Sequence, residues 1–476
     1  MNSLSIKTFR ATLLLSLGIA AGTLLLSCAD QAPATESPQK KAQISKEAAH
    51  VDYSENWWRG VRITTWLWEG ADADVLTATL NRIASAKGAR VYPDLLDTII
   101  EYGPGNWNYE FSASGDAAYR QAKESENQGD RLAARNYFLQ SSYYYSHAGY
   151  PHLREKYARI ALNKAFEAYA QAGRLFEVPL EVWDMTVEGV SFKAMVHWPV
   201  NVREDDPVPV VLRTSGLDLL STGFYQNSKT LGDLGAAMIT FDIPGTGNDG
   251  VLDANIDKHH VAILEHVLKD PRFDKEHIAV WSESVGGWTG ARMAFDYSEH
   301  LVASIAACGL VHQIFTQGLV PSGPEGDKVR VLLEAYRNGE LSRQEIDAFN
   351  RKANEQTGQQ DQGRNFQAVA FLDRIRSSPG DFLDILSKTL PMSLVEQGYI
   401  GPDKKNITET PLLVINTSND PIVPQAESMW VAQASSRGQL ELFDDHAGHC
   451  VSNVVDTATS IKWMSQYMGF SEGKKR

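Results

Sequence analysis

The stretch from His277 to Phe295, HIAVWSESVGGWTGARMAF, constrains this chain more than any other. Ile278, Ala279, Val280 and Trp281 are an apolar run of the length expected for a strand buried on both faces. The run stops at Ser282-Glu283-Ser284-Val285-Gly286-Gly287, and beyond it Trp288, Ala291 and Phe295 recur at helical spacing. A strand therefore passes into a helix through a very tight turn. Such a turn needs small residues two before and two after its apex, and it thrusts the apical side chain out of the backbone. The apex here is Ser284, the candidate nucleophile. Serine at 282 stands where glycine is usual, a modest strain, while Gly286 and Gly287 keep the far side open. The bland alternative is a Ser/Gly-rich loop between a strand and a helix, so the reading depends on partners downstream.

A serine hydroxyl is a weak nucleophile at neutral pH. It needs a base to take its proton and an acid to hold that base in one tautomer. Pro411 to Ile415 reads as a buried strand ending at Asn419-Asp420-Pro421, and Leu440 to Phe443 reads as the last strand, delivering Asp444-Asp445-His446-Ala447-Gly448-His449-Cys450. Asp420 and His449 thus follow Ser284 in the order nucleophile, acid, base, each in a loop after a strand. His446, Asp444 and Asp445 compete nearby. His449 is preferred because Gly448-His449-Cys450 leads straight into the final helix, where Val451, Val454, Val455, Ala458, Ile461 and Met468 are expected on one face. Asp420 has no close rival, its alternative being a turn aspartate before proline. Charge developing on a carbonyl oxygen needs two backbone N–H donors. Val285, directly after the serine, is expected to give one. Leu217, in Ser215-Gly216-Leu217-Asp218 after the strand Val208 to Leu212, is expected to give the other, with Asp218 structural.

Around these loops the chain alternates strand and helix. Leu180 to Val187 and Ser191 to Trp198, separated by Glu188-Gly189, read as a hairpin. Then come strand Val208 to Leu212, helix Tyr225 to Ala236, strand Met238 to Ile243, helix Val261 to Leu268, the elbow, and strand Val302 to Cys308. This pattern predicts an α/β fold with a mostly parallel sheet and helices on both faces. Gly309 to Glu409 is too long for a plain crossover and reads as a largely helical lid insertion. Ahead of the hairpin, from about Asp74 to Arg174, helical signals dominate, with Gly129 a break, Asp130 a cap, and Gly149-Tyr150-Pro151 a stop. Its small and aromatic residues, including Ala161, Ala165, Ala168 and Tyr169 on one face with Tyr157, resemble tetratricopeptide-like packing without a strict period. Tyr143-Tyr144-Tyr145 is read as inter-helix packing rather than a pocket wall.

At the amino terminus Lys7 and Arg10 precede an apolar segment, Ala11 to Leu26, too short for a comfortable membrane span and flanked like a secretory signal. It closes with Leu25-Leu26-Ser27-Cys28, similar to the lipobox of bacterial lipoproteins, which implies lipidation of Cys28 and attachment to the outer membrane. The expected organisation is a signal over 1–28, a flexible tether over 29–56, a helical cap domain over 57–176, a catalytic domain over 177–469 with its lid at about 310–409, and a charged tail over 470–476. Of the remaining cysteines, Cys308 and Cys450 could form one bridge, but a core this large needs no staple and two buried free thiols are expected. A formal charge of -14, from 45 basic and 59 acidic residues without a basic stripe, argues against nucleic acid as a ligand.

Ser215-Gly216-Leu217-Asp218, Asp242-Ile243-Pro244-Gly245-Thr246-Gly247, the elbow, Asn419-Asp420-Pro421 and Gly448-His449-Cys450, behind an amino-terminal helical region, resemble the FrsA-like (fermentation-respiration switch) esterase group of α/β-hydrolases over roughly Asp116 to Gly469. The resemblance implies hydrolysis of a small-molecule carboxylic ester at a site between the helical region and the sheet; neither a cofactor nor a metal is expected. It leaves two alternatives: hydrolysis of a carbon-carbon bond in an aromatic ketone, and a surface binding protein on an inactive hydrolase scaffold. It fixes neither the substrate nor the oligomeric state.

Overall fold

The computed structural model of the chain describes residues 56–200, 206–321, 323–357, 362–402, 407–444 and 448–470. The signal with Cys28, the tether up to 55 and the tail beyond 470 lie outside them. The first helices are α1 (Ile63–Glu69), α2 (Ala73–Ser85), α3 (Trp107–Asn127), α4 (Arg131–Gly149) and α5 (Lys156–Gly173). Short polar side chains start three of them, each accepting from an otherwise unpaired N–H of the first turn: Asp72 for α2, Asn106 for α3 and Asp130 for α4. Tyr143, Tyr144 and Tyr145 are buried, and their hydroxyls bond to His147, Asp72 and Asp116, so they pack this segment together. Tyr157 departs from its expected face: it is exposed and stacks on Tyr102.

An eight-stranded sheet follows, in the order β1-β2-β4-β3-β5-β6-β7-β8. The strands β1 (Glu181–Val187) and β2 (Val190–His197) pair antiparallel through Glu188-Gly189, both residues at positive φ, as a two-residue hairpin matched to strand twist requires. Then come β3 (Val208–Thr214), α6 (Tyr225–Asp233), β4 (Ala237–Phe241), α7 (Lys258–Lys269), β5 (Phe273–Glu283), α8 (Gly287–Asp296) and β6 (Ala303–Ala307). After the insertion the sheet resumes with β7 (Leu412–Thr417), a further helix, β8 (Gly438–Phe443) and the last helix. From β4 onward every neighbouring pair is parallel. Alternation along β3 shows why both faces are covered. Val210 and Leu212 pack with Ile263, Leu264 and Val267 of α7, while Val211 packs with Leu231 of α6 and with Trp463 and Met464 beyond β8.

The insertion contributes α9 (Gln313–Thr316), α10 (Pro324–Arg337), α11 (Arg343–Thr357), α12 (Phe366–Ile375) and α13 (Phe382–Thr389). The helix between β7 and β8 is α14 (Gln425–Gln433) and the last is α15 (Asn453–Met464). The expected apolar face of α15 is corrected here. Val451 and Met468 fall outside the helix and Val454 is exposed, whereas Asp456, Thr457, Ser460, Trp463 and Met464 are buried. The inward face is partly polar because Asp456 reaches a buried arginine of β3, Arg213, at 3.5 Å. Among the described residues no helix is long and apolar enough to cross a membrane.

Candidate active site

Strand β5 carries the chain to Ser284 at the carboxyl end of the sheet, and the turn into α8 holds that residue at φ 58°. A non-glycine residue in the left-handed region is strained and persists only where its surroundings fix it. Here the turn is clamped: a Cβ on Gly286 would sit 2.4 Å from the carbonyl oxygen of Ser215, so α8 can start against the neighbouring loop only with glycine there. Ser282 is fully buried, with its hydroxyl 3.4 Å from His260 Nε2, and fits where a glycine is usual.

The loops after β7 and β8 bring the other two residues to the serine. Ser284 Oγ lies 2.9 Å from His449 Nε2, and His449 Nδ1 lies 2.9 Å and 3.1 Å from the carboxylate oxygens of Asp420. Asp420 Oδ1 also accepts from the N–H groups of Ile422 and Val423, at 2.8 Å and 3.0 Å. Burial pushes the Asp420 carboxyl up, but His449 and those two donors outweigh it and hold the group below its ordinary range. An ionised Asp420 accepts only, so Nδ1 carries the imidazole proton and Nε2 faces the serine hydroxyl as an acceptor. Of the competing residues Asp444 is exposed, and Asp445 and His446 lie outside the described residues.

Cys308 and Cys450 are joined in a disulfide across 142 residues, which corrects the expectation of two free thiols. Core size was the wrong criterion. The bridge ties the end of β6 to the residue after His449, and cysteine spacing does not reveal that these two points of the fold are neighbours. Cys308, His449 and Cys450 cluster as metal ligands would, but the sulfurs are bonded to each other and both ring nitrogens of His449 are engaged. The cluster has no free ligand atom.

The loop after β3 crosses directly over the serine. A Cβ on Gly216 would lie 2.7 Å from both Ser284 Cβ and Oγ and 3.0 Å from the Val285 nitrogen, so the backbone leading to Leu217 is as close to the hydroxyl as packing allows. Ser284, Val285, Leu217, Asp218 and His449 share one pocket with Leu310, Ile314, Phe371, Leu372 and Ile422. Its walls beyond Ser284 and His449 come from the loops after β3, β6 and β7 and from α9 and α12, and they are mainly apolar. Among the described residues the helical segment before the sheet supplies none of the lining, a departure from a site walled by that segment. It acts from behind instead. Arg62 pairs with Asp218 at 3.4 Å, and Trp58 and Tyr150 pack against Phe366 at the start of α12. Asp218 is thus both a lining residue and an ion-pair partner.

Sequence reasoning missed several buried polar residues around the site. Arg213 lies between the rings of Phe224 and Trp281 and pairs at 2.7 Å with Glu283, the residue before Ser284. Glu427 of α14 accepts from the N–H groups of His312 and Gln313, at 3.0 Å and 2.7 Å, at the start of α9. Burial raises its carboxyl to about 7, against the lowering by those donors. A charge inside an apolar strand run was a usable signal for Arg213. Glu427 gave none, because its partners come from the insertion.

Residues 25–321 match the family described as Esterase FrsA-like, well over half of the chain. The chain belongs to the FrsA-like esterase family. It is accordingly an esterase-type α/β hydrolase, and the matched region starts further upstream than the resemblance in its motifs suggested while ending before Asp420 and His449. Esterase FrsA of Photobacterium profundum is 27% identical over 445 residues, covering 90% of this chain and 94% of that one. Esterase FrsA of Vibrio cholerae serotype O1 (strain M66-2) is 29% identical over 392 residues, 82% of this chain and 83% of that one. Among solved structures, 2,6-dihydroxy-pseudo-oxynicotine hydrolase superposes with a TM-score of 0.61 at 15% identity, over 86% of this chain and 96% of that one. AbyA5 does so with a TM-score of 0.53 at 16% identity, over 85% and 94%. At such identities these two structures speak for the fold alone.

Proposed function

We propose that this FrsA-like protein hydrolyses carboxylic esters through an acyl-enzyme on Ser284. The observation that carries the reading is the continuous hydrogen-bonded chain Ser284, His449, Asp420, whose first two members line an apolar pocket. Ser284 Oγ attacks the ester carbonyl carbon while its proton passes to His449 Nε2, and Asp420, remaining ionised, steadies the imidazolium. The carbonyl oxygen takes the negative charge and is met by the N–H groups of Val285 and Leu217. Collapse expels the alcohol, which leaves with the proton from His449. Water, deprotonated by the same nitrogen, then attacks the acyl carbon, the bond to Ser284 Oγ breaks as that oxygen takes the proton back from His449, and the carboxylic acid leaves. The apolar walls favour esters whose acyl or alcohol group is hydrophobic.

Lipid anchoring through Cys28 completes the proposal, with the enzyme held at the outer membrane of a bacterial envelope. The lipobox-like Leu25-Leu26-Ser27-Cys28 supports it, as does the Cys308–Cys450 bridge, since structural disulfides persist in exported proteins.

The test is turnover of an ester panel, with an aromatic ketone alongside, combined with fluorophosphonate labelling of the wild type and of Ser284→Ala and Ser282→Ala. One adduct on Ser284, lost in Ser284→Ala together with ester turnover, is the expected result. Labelling without any ester turnover but with ketone cleavage would favour the carbon-carbon alternative, and a folded protein that does neither would favour the binding-protein one.

A further inference from the structure

Arg374 is a fully buried cation that the triad chemistry does not use. It sits near the end of α12, whose neighbouring residues Phe371 and Leu372 wall the pocket. Its Nη2 donates to the carbonyls of Pro151 at 2.8 Å and Leu217 at 3.3 Å, its Nη1 to Ala370 at 2.9 Å, and its Nε to Thr246 Oγ1 at 3.1 Å. Among the described residues its hydrogen bonds reach three carbonyls and a hydroxyl, and no carboxylate. Three separate parts of the chain therefore converge on one guanidinium: the turn between α4 and α5, the loop after β4, and the loop over the nucleophile.

A buried charge without a bonded counter-ion is costly, and well-packed apolar residues would stabilise the same place better. Burial lowers its pKa to about 10, which still leaves it charged at neutral pH. Stability is therefore a poor reason for an arginine here. Geometry offers a better one. Fixing the Leu217 carbonyl restrains the backbone of the residue whose N–H faces the nascent oxyanion, and Arg62 restrains the next residue through Asp218. The guanidinium serves four acceptors through three nitrogens, whereas a lysine ammonium has three donors on one atom, so lysine is no full substitute.

We infer that Arg374 is a positioning residue for the oxyanion hole, setting the Ser215-to-Asp218 loop against Ser284 and relaying to it the placement of the amino-terminal helices and of α12. The inference rests on the ester reading above. It gives the helical segment a catalytic role although that segment contributes nothing to the pocket lining among the described residues. The charge also lies behind the loop, where it favours negative charge developing in front of it.

The test compares wild type, Arg374→Met and Arg374→Lys on a short-chain aryl ester, with fluorophosphonate labelling rates and thermal melts beside the kinetics. Arg374→Met is expected to lower kcat roughly 10²-fold, the scale of losing or misplacing one oxyanion donor, with KM changed less than about threefold. Labelling of Ser284 should slow in step. Should Arg374→Met not fold, Arg374→Lys carries the same test, since it keeps the charge but its single ammonium cannot serve all four acceptors. A loss confined to KM would assign Arg374 to the lid and overturn the inference, and so would a kcat within about threefold of wild type. Those outcomes leave the ester reading intact. A wild type that turns over no ester removes that reading and this inference with it.

Discussion

Replacing Gly216 by alanine probes the loop over Ser284 more directly than any change to Ser284, His449 or Asp420. The added methyl would lie 2.7 Å from Ser284 Cβ and Oγ and 3.0 Å from the Val285 nitrogen. Carbon atoms rest at about 3.5–4.0 Å, so something must retreat by about 0.8–1.3 Å. Ser284 is poorly able to do so, being held at φ 58° between β5 and α8 with Gly286 hard against Ser215. The Ser215-to-Asp218 loop therefore gives way, and the Leu217 N–H moves with it. Misplacement by about 1 Å costs on the order of 10²-fold in rate, and removal of one oxyanion donor about 10²- to 10³-fold. A kcat reduced by roughly 10²- to 10³-fold follows, far short of the roughly 10⁶-fold loss that follows removal of a triad serine. Overpacking of this kind costs about 1–3 kcal/mol of stability, so the variant should still fold. The assay is kcat and KM on an aryl ester at saturating concentration, with a melt to verify folding. A folded Gly216→Ala protein with kcat within about threefold of wild type would show that the loop retreats freely and would refute both the donor assignment to Leu217 and the argument built on Arg374.

Reducing the Cys308–Cys450 bridge with a phosphine, or replacing both cysteines by alanine, should cost about 2–4 kcal/mol in a denaturation series, because the bridge closes a loop of 142 residues in the unfolded chain. Since Cys450 follows His449, kcat should fall as well, and the double variant should no longer respond to the phosphine. The Glu427 carboxyl, raised by burial to about 7, favours its protonated form in the folded state. Its contribution is therefore whole below the unfolded value of about 4.3 and is lost as pH rises through about 7, so wild type should lose stability relative to Glu427→Gln between about pH 4 and 7. Equal slopes for the two proteins over that range would exclude it. Cys28→Ser should move the full chain from the detergent phase to the aqueous phase in detergent partitioning of cells, and an unchanged distribution would exclude lipid anchoring there.

How far the site could be read in advance depended on what kind of neighbour each residue has. That Ser284, Asp420 and His449 lie together was legible because parallel strands deliver their following loops to one edge, so strand order brings three distant residues together. The apolar runs that become β3 to β7 carried that order openly. The bridge was not legible in this way. Its cysteines lie with Cα atoms 5.1 Å apart only because β6 and β7 are adjacent and the loop after β8 folds back over them, and two cysteines in sequence carry no trace of that.

The buried polar residues fail for a further reason. Arg374, Glu427 and Asp456 each sit in a helix whose polar residues would ordinarily face water, and each turns inward toward a partner on another element. Periodicity predicts which side of a helix is apolar but not that a charge on the other side has found carbonyls or N–H groups to satisfy it. The α15 face went wrong on this count, with Val454 outside and Asp456 within. The same blindness hid the pocket walls, because the pattern of α12 marks an inward face without saying whether sheet, substrate or the amino-terminal helices lie against it. Of those, α12 meets two: Phe371 and Leu372 turn to the pocket, while Arg374, three residues after Phe371, grips the turn before α5. A helix wedged between the pocket and the amino-terminal segment makes both part of one catalytic unit, and that unit exists only at the level of packing.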